Sequence, residues 1–277
     1  MSPSNVCIQR HDFSIMLDTI MSICTFISLT FATIACGYHI LSATRREWPK
    51  RTITLLSVSV FLIETAYSFG AFVGYQQLTD SNDNNSNYKD LCLIQGCLFN
   101  WSAISMVLLL VWFHFTQYQM LCKQMSSQKL QEKEPKILLF ILFISTLLTI
   151  LPVLKGEINA RPNFYGCWLQ NGLFYWMFYI LLFFALMIAN FWCYESVKWL
   201  TKVAESLQGG DRPEAIQSLK RYQVANIAIV TGTIYLCVTL LLSCLEILLN
   251  FKLGTAFCFI ISLDILLFPL IFSKFYR

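Results

Sequence analysis

Charged residues are scarce in this sequence: aspartate, glutamate, lysine and arginine make up 13% of its 277 residues, whereas 56% are apolar. A soluble domain carries roughly 25% charged residues, because it faces water on all sides. The scarcity therefore excludes an ordinary soluble protein and predicts a membrane protein. Cysteine is not scarce, with eleven copies, but most of them lie inside apolar runs, where cysteine packs as a small hydrophobic residue.

Histidine is scarce as well, and its three copies, His11, His39 and His114, lie in separate regions of the chain. This spacing excludes a multi-histidine metal site. The sequence also lacks a nucleophile elbow and a paired catalytic aspartate motif. We therefore expect no enzyme activity, no metal, no cofactor and no nucleic-acid partner.

Apolar runs, in contrast, are long and numerous. A bilayer core of about 30 Å requires about 20 apolar residues of helix, and the sequence shows no alternating strand pattern. In lipid, helices satisfy their backbone groups internally. We predict an all-α seven-transmembrane helix bundle over residues 14–275, with an extracellular tail at 1–13 and a cytosolic end at 276–277. The predicted spans are Ser14–Leu41, Thr52–Tyr75, Leu91–Gln119, Ile137–Leu154, Gly172–Trp199, Tyr222–Asn250 and Gly254–Phe275.

Lysine and arginine are distributed unevenly between the two sets of predicted loops. The first, third and fifth loops and the C-terminal tail hold 15 of the 20, and the other side holds five. The positive-inside rule places the richer side in the cytosol, so the N-terminus lies outside and the C-terminus inside. The glycosylation acceptor at Asn84 then falls outside. We expect a multi-pass glycoprotein of the plasma membrane, surrounded by membrane lipid.

Two cysteines lie at the extracellular face in this topology. The third span opens with Cys-Leu-Ile-Gln-Gly at residues 92–96, and the loop before the fifth span reads Tyr-Gly-Cys-Trp-Leu at 165–169. Oxidation is allowed at this face, which favours a disulfide between Cys92 and Cys167. The alternatives are that both thiols are free, or that Cys97, one to two turns deeper, is the partner of Cys167.

In these motifs the chain resembles the G-protein-coupled receptors, and within them the group that unites secretin and adhesion receptors with cyclic-AMP-receptor-like proteins. The Cys-x-x-Gln-Gly motif, and the Tyr-Ser-Phe-Gly at residues 67–70 after Leu56, are similar to cyclic-AMP-like members. The Cys-Trp-Leu motif, with Trp176 and Asn190, resembles the secretin and adhesion pattern. The resemblance implies a receptor for an extracellular ligand, with a heterotrimeric G protein as its cytosolic partner.

The sequence departs from the receptor pattern at the expected switch positions. It has no Asp-Arg-Tyr motif, and the seventh span reads Asp-Ile-Leu-Leu-Phe-Pro from Asp264 instead of Asn-Pro-x-x-Tyr. Either other residues form the switch, or G-protein coupling has been lost. A light-driven rhodopsin is excluded on separate grounds, because the lysines near the seventh span, Lys252 and Lys274, lie only at its ends.

Four acidic residues lie inside predicted spans: Asp18, Glu64, Glu246 and Asp264. An ionised acid at mid-membrane costs at least about 2.5 kcal/mol, so these side chains should face the bundle interior. Glu64 and Asp264 could share a proton or a sodium ion, and Glu246 and Asp18 could meet a cationic ligand group. The alternative is that each acid is protonated and bonded to a nearby hydroxyl. The candidate ligand-binding residues are Glu64, Tyr67, Glu246 and Asp264.

The candidate contacts for a cytosolic partner are Arg45, Arg46, His114, Lys220 and Arg221. The fifth loop, Thr201–Arg221, is either a partner-binding segment or only a charged connector. The competing function is a cation or proton channel or transporter, because acidic residues in a membrane often mark ion paths. Two features weigh against it, namely the lack of an internal repeat and the cysteine pattern.

Overall fold

The computed structural model describes residues 22–23, 25–41, 50–73, 86–161, 166–169, 172–207 and 238. Its helices and strands, in chain order, are α1 Thr25–Leu41, α2 Lys50–Val73, α3 Ser86–Leu121, α4 Ser127–Leu154, β1 Ile158–Arg161, β2 Gly166–Leu169 and α5 Leu173–Leu207. Helices therefore dominate the part of the chain that the structure describes, as predicted.

Helices α2 to α5 are long and apolar enough to cross a membrane, and α1 is a shorter apolar helix. Large apolar side chains are exposed along α4 and α5; Phe143 and Phe184, for example, are each 61% exposed. Such continuous apolar surface is unfavourable in water and suits contact with lipid. The chain is a multi-pass helical membrane protein. The sixth and seventh spans lie outside the described residues, and the in–out orientation stays a prediction.

Helix α3 lies at the centre of the described elements, packing against α2, α4, α5 and both strands. One buried cluster joins α3 residues such as Ile104 and Val107 to the strands and α5, and a second joins Leu109 and Leu110 to α2 and α4. Helices pack closely in a membrane where small and polar residues let their backbones approach. Ser102 and Ala103 of α3 are both buried in this way.

The end of α4 leads directly into the two strands. Gly156 has a φ of +69°, a conformation that favours glycine, and its N–H donates to the carbonyl of Val153. The N–H of Glu157 donates to the carbonyl of Pro152. These two bonds form a Schellman motif, which satisfies the last helical carbonyls and reverses the chain. Strands β1 and β2 then pair antiparallel, with Ile158 opposite Leu169 and Asn159 opposite Trp168.

Three expectations about local structure were wrong. The strand pair, which we call the hairpin (residues 158–161 and 166–169), was not predicted, because two strands of four residues are too short to show an alternating pattern. Helix α4 begins at Ser127, not at Ile137, because Leu130 and Glu134 are buried although the segment around them is charged. Helix α5 continues to Leu207, so the predicted fifth loop begins as helix.

Candidate functional site

The hairpin is attached covalently to the start of α3. Cys92 and Cys167 form a disulfide, with their Cα atoms 5.2 Å apart, and Cys97 is a free cysteine. The prediction of this bridge is confirmed, and the alternative pairing with Cys97 is wrong. We call this side of the bundle the disulfide end, and the side where α2 and α4 begin the opposite end.

Gln95, one turn after Cys92, holds the hairpin by hydrogen bonds. Its side-chain oxygen accepts from the backbone N–H of Cys167 at 3.2 Å, and its side-chain nitrogen donates to the carbonyl of Ala66 on α2 at 3.0 Å. Gln95 is 4% exposed, so water competes little for either bond. One side chain therefore connects α2, α3 and β2.

Gly96 provides the space for this contact. A Cβ at this position would collide with the Cγ2 atom of Ile158 and lie 3.1 Å from the carbonyl oxygen of Cys167. The hairpin thus approaches α3 so closely that a side chain at position 96 would require Ile158 to shift. The Cys-x-x-Gln-Gly motif has a physical explanation: Cys92 forms the disulfide, Gln95 forms the hydrogen bonds and Gly96 leaves room, all on the side of α3 that faces the hairpin.

Trp168 of β2 is the centre of an aromatic cluster between the hairpin and the neighbouring helices. It is 4% exposed, and its ring lies 5.4 Å from that of Phe99 on α3, which in turn lies 5.1 Å from Tyr67 on α2. Edge-to-face ring pairs at such distances are favourable. The cluster therefore packs the hairpin against three helices. Its members on α5 are Tyr175, Phe178 and Tyr179.

The sides of α3 can be assigned from these contacts. Phe99 faces α2, Trp101 donates to Thr146 on α4 at 3.1 Å, and Phe115 packs against α5 through Trp192, with ring centroids 4.9 Å apart. At about 100° per residue, these directions leave one side of α3 turned away from α4, between α2 and α5. We call it the interior face of α3.

Asn100 and His114 lie on this interior face. Asn100 is 0% and His114 1% exposed, and within the described part of the chain neither side chain has a hydrogen-bond partner for its oxygen or nitrogen atoms. They are 14 residues apart, which is about 21 Å along the helix. Burial of an unpaired amide costs roughly 1–3 kcal/mol, so such groups commonly mark a site for water, a ligand or a conformational change. Asn100 was missed in the sequence, although an asparagine inside an apolar run is a signal.

Glu64, a predicted ligand-binding residue, is 2% exposed on α2. The hydroxyl of Ser68 donates to the backbone carbonyl of Glu64 at 2.8 Å; this bond uses the main chain of Glu64 and does not involve its carboxyl group. Tyr67 lies about one helical turn further toward the disulfide end and contacts Phe99, as described above. Asp264 and Glu246 lie outside the described residues, so the shared proton or sodium site stays a prediction.

The predicted cytosolic contacts are described only in part. His114 is buried, so a partner can reach it only after the helices separate. The remaining predicted positions lie outside the described residues, as does the glycosylation acceptor; they are Arg45, Arg46, Asn84, Lys220 and Arg221.

The opposite end contains a buried acid, Glu134, that lies before the predicted fourth span. Glu134 of α4 is 0% exposed; its Oε1 accepts from the hydroxyl of Thr52 at 2.9 Å, and its Oε2 lies 3.2 Å from Nη1 of Arg51. A buried acid is tolerated when it is paired and hydrogen-bonded. These contacts join the first turns of α2 to α4. Among the described residues, no group of three or more histidine, cysteine or acidic side chains is placed to hold a metal.

Comparison with solved structures shows a likeness in fold. The chain is similar to the crystal structure of squid rhodopsin, with a TM-score of 0.63 and 12% sequence identity, over 94% of this chain and 82% of that chain. No protein-family model matches the sequence, and no curated protein matches it. At 12% identity the likeness concerns the fold alone: this chain has a fold like that of squid rhodopsin.

Proposed function

We propose that the chain is a seven-transmembrane receptor that transduces an extracellular ligand signal, of the secretin, adhesion and cyclic-AMP-receptor-like group. The observation that carries the proposal is the attachment of the hairpin to two helices at once. Cys92 binds it covalently to α3, and Gln95 connects it to α2. A ligand that displaces the hairpin would therefore act on both helices.

The ligand would be recognised below the hairpin, between α2 and the interior face of α3. Tyr67 and Asn100 supply polar atoms there, beside the aromatic cluster around Trp168. Glu64 lies one turn deeper on α2 and is buried, which suits a residue that responds to the ligand. In the proposed seven-helix arrangement, Glu246 and Asp264 complete this set from the sixth and seventh spans.

The signal would leave at the opposite end, on the cytosolic side. His114 lies on the interior face toward that end, buried and without a hydrogen-bond partner among the described residues. Separation of the helices would expose it beside the basic residues of the inner loops. The partner there would be a heterotrimeric G protein, met by Arg45, Arg46, Lys220 and Arg221.

The experiment is a G-protein activation panel in cells, measured without ligand and with candidate ligands. Three chains are compared at matched surface expression: wild type, Cys167→Ser, which loses the bridge, and Cys97→Ser, which removes a free cysteine of α3. Activation by wild type and Cys97→Ser, with loss in Cys167→Ser, supports a receptor that works through the hairpin. Equal activation by all three would contradict the role of the hairpin. A cation current in the same cells, without G-protein activation, would favour the channel.

A further inference from the structure

The first ten residues of α4, at 127–136, form a helical extension that precedes its apolar part. One side of the extension is buried: Leu130 is 1% and Glu134 0% exposed, and they lie one turn apart. Glu134 is anchored by Thr52 and Arg51 of α2, as described above. Because two buried residues and two polar contacts fix this side, the extension cannot rotate about its axis, and its other side has a defined direction.

That other side carries three lysines. Lys129, Lys133 and Lys136 are all exposed, and their spacing of four and then three residues places them within about 60° of one another on the helix. None of them forms an ion pair or hydrogen bond among the described residues. Glu132 is the acidic neighbour on this side. We call the three residues the lysine face.

The lysine face continues into surface that contacts lipid. Phe140, Phe143 and Leu147 follow Lys136 on the same side of α4, and they are 60%, 61% and 41% exposed. Along this side of α4, exposed apolar side chains are therefore followed, toward the start of the helix, by lysines that form no ion pair among the described residues. Over residues 129–136 the helix advances by about 10 Å, which is enough to cross the headgroup layer of about 5–7 Å on one side of a bilayer. Long lysine side chains reach that layer readily.

We propose that Lys129, Lys133 and Lys136 form a docking surface for the anionic headgroups of the surrounding lipid. The lysines match anionic headgroups in charge and lie at a fixed depth. Phe140, Phe143 and Leu147 set that depth, the buried side of the helix sets the direction of the lysines, and the lysines form no ion pair among the described residues. Flexible ammonium groups suit phosphates whose positions vary from lipid to lipid. The surface depends only on the membrane environment, so it does not rest on the proposed receptor function.

The test uses the purified full chain in phosphatidylcholine nanodiscs with spin-labelled phosphatidylserine or spin-labelled phosphatidylcholine as the probe. The measured quantity is the ratio of the two association constants. Wild type is expected to prefer phosphatidylserine, and added salt is expected to reduce this preference through screening. The triple change of Lys129, Lys133 and Lys136 to Gln should lower the ratio by roughly two- to fivefold per lysine. The triple change to Arg keeps the charge and should keep the preference.

The matched control compares two double variants that remove the same charge. Lys129→Gln with Lys133→Gln should lower the ratio, whereas Lys89→Gln with Lys155→Gln, two exposed lysines of the disulfide end, should change it less. Equal effects of the two pairs would overturn the proposal. A wild-type ratio of association constants that shows no salt dependence would also overturn the proposal, and this measurement requires no variant to fold. If the triple Gln variant keeps its lipid preference but loses binding to a purified G protein, the lysines serve a protein partner and the lipid proposal fails.

Discussion

The side-chain oxygen of Gln95 lies 3.2 Å from the backbone nitrogen of Cys167, the same strand residue that the disulfide ties to Cys92. A covalent bond and a hydrogen bond, one helical turn apart on α3, therefore hold one point of the hairpin. Only the hydrogen-bonded side chain also reaches α2, through the carbonyl of Ala66. The disulfide thus fixes the hairpin to α3, and Gln95 is the polar link between the hairpin and α2.

The first prediction concerns this link. Gln95→Leu removes both hydrogen bonds and leaves the buried N–H of Cys167 without its acceptor, so we expect a loss of about 1–3 kcal/mol in the free energy of unfolding. Thermal unfolding in detergent measures it. Gln95→Glu keeps an acceptor for Cys167 but has no donor for Ala66, and should retain part of the stability.

The control for Gln95 is Gln128→Leu, the same chemical change at an exposed position of α4. It should leave the unfolding temperature nearly unchanged, because the side chain loses no buried partner. If Gln95→Leu is as stable as Gln128→Leu, the hydrogen bonds to Cys167 and Ala66 contribute nothing to the fold.

The second prediction concerns Gly96. Gly96→Ala places a methyl group against Ile158 and the carbonyl of Cys167, and overpacking of this kind costs about 1–3 kcal/mol. Gly37→Ala is the matched control in α1, where an added Cβ meets nothing within 4 Å. That change should be neutral or stabilise the helix by up to about 1 kcal/mol. The unfolding temperatures of the two variants should therefore change in opposite directions or by clearly different amounts.

A second substitution tests the cause of the Gly96 effect. Ile158→Ala removes the Cγ2 atom that the new methyl group meets, so the double variant should recover part of the loss relative to the sum of the two single changes. If the stability loss of the double variant equals the sum of the two single losses, Gly96 and Ile158 do not interact, contrary to the geometry.

The disulfide was predictable from the sequence, whereas the hairpin was not. The loop charges placed Cys92 and Cys167 on one side of the membrane, and this placement favoured their pairing, with free thiols or a bridge from Cys97 as the alternatives. The functions of Gln95 and Gly96 depend on where a pair of four-residue strands lies in space. That position is fixed by the Schellman turn at Gly156 and by packing around Trp168, which are tertiary contacts without a periodic signal.

The charged start of α4 was also not predicted from the sequence, for a different reason. The predicted span begins at Ile137, because residues 127–136 contain lysines and glutamates that are unfavourable in lipid. The helix is nevertheless continuous through Pro135, since Leu130 is buried and Glu134 contacts Thr52 and Arg51 of α2. Hydropathy finds where a helix enters the bilayer; it does not find where a helix begins when packing outside the apolar region supports its first turns.

The third prediction concerns the contact between Thr52 and Glu134. Thr52→Val keeps the shape of the side chain and removes the hydroxyl that donates to the buried acid, so we expect a loss of about 1–3 kcal/mol in unfolding free energy. Thr30→Val is the control, because Thr30 is exposed and its hydroxyl bonds only within its own helix, to the carbonyl of Phe26. Equal unfolding temperatures for the two variants would contradict a stabilising contact.

The last prediction concerns the reactivity of Cys122, at the turn after α3. Burial raises the pKa of its thiol, the Glu195 carboxylate raises the pKa further, and Lys123 lowers it. Because only the thiolate reacts, alkylation by iodoacetamide should rise at higher pH than for an ordinary thiol. Glu195→Gln should shift the pH profile down and Lys123→Gln should shift it up, as measured by mass spectrometry of the Cys122 peptide. Glu132→Gln removes an acid that does not act on this thiol and should leave the profile in place. If Glu195→Gln leaves the pH profile of alkylation unchanged, the Glu195 carboxylate does not raise the pKa of Cys122, and burial is the dominant cause of the raised pKa.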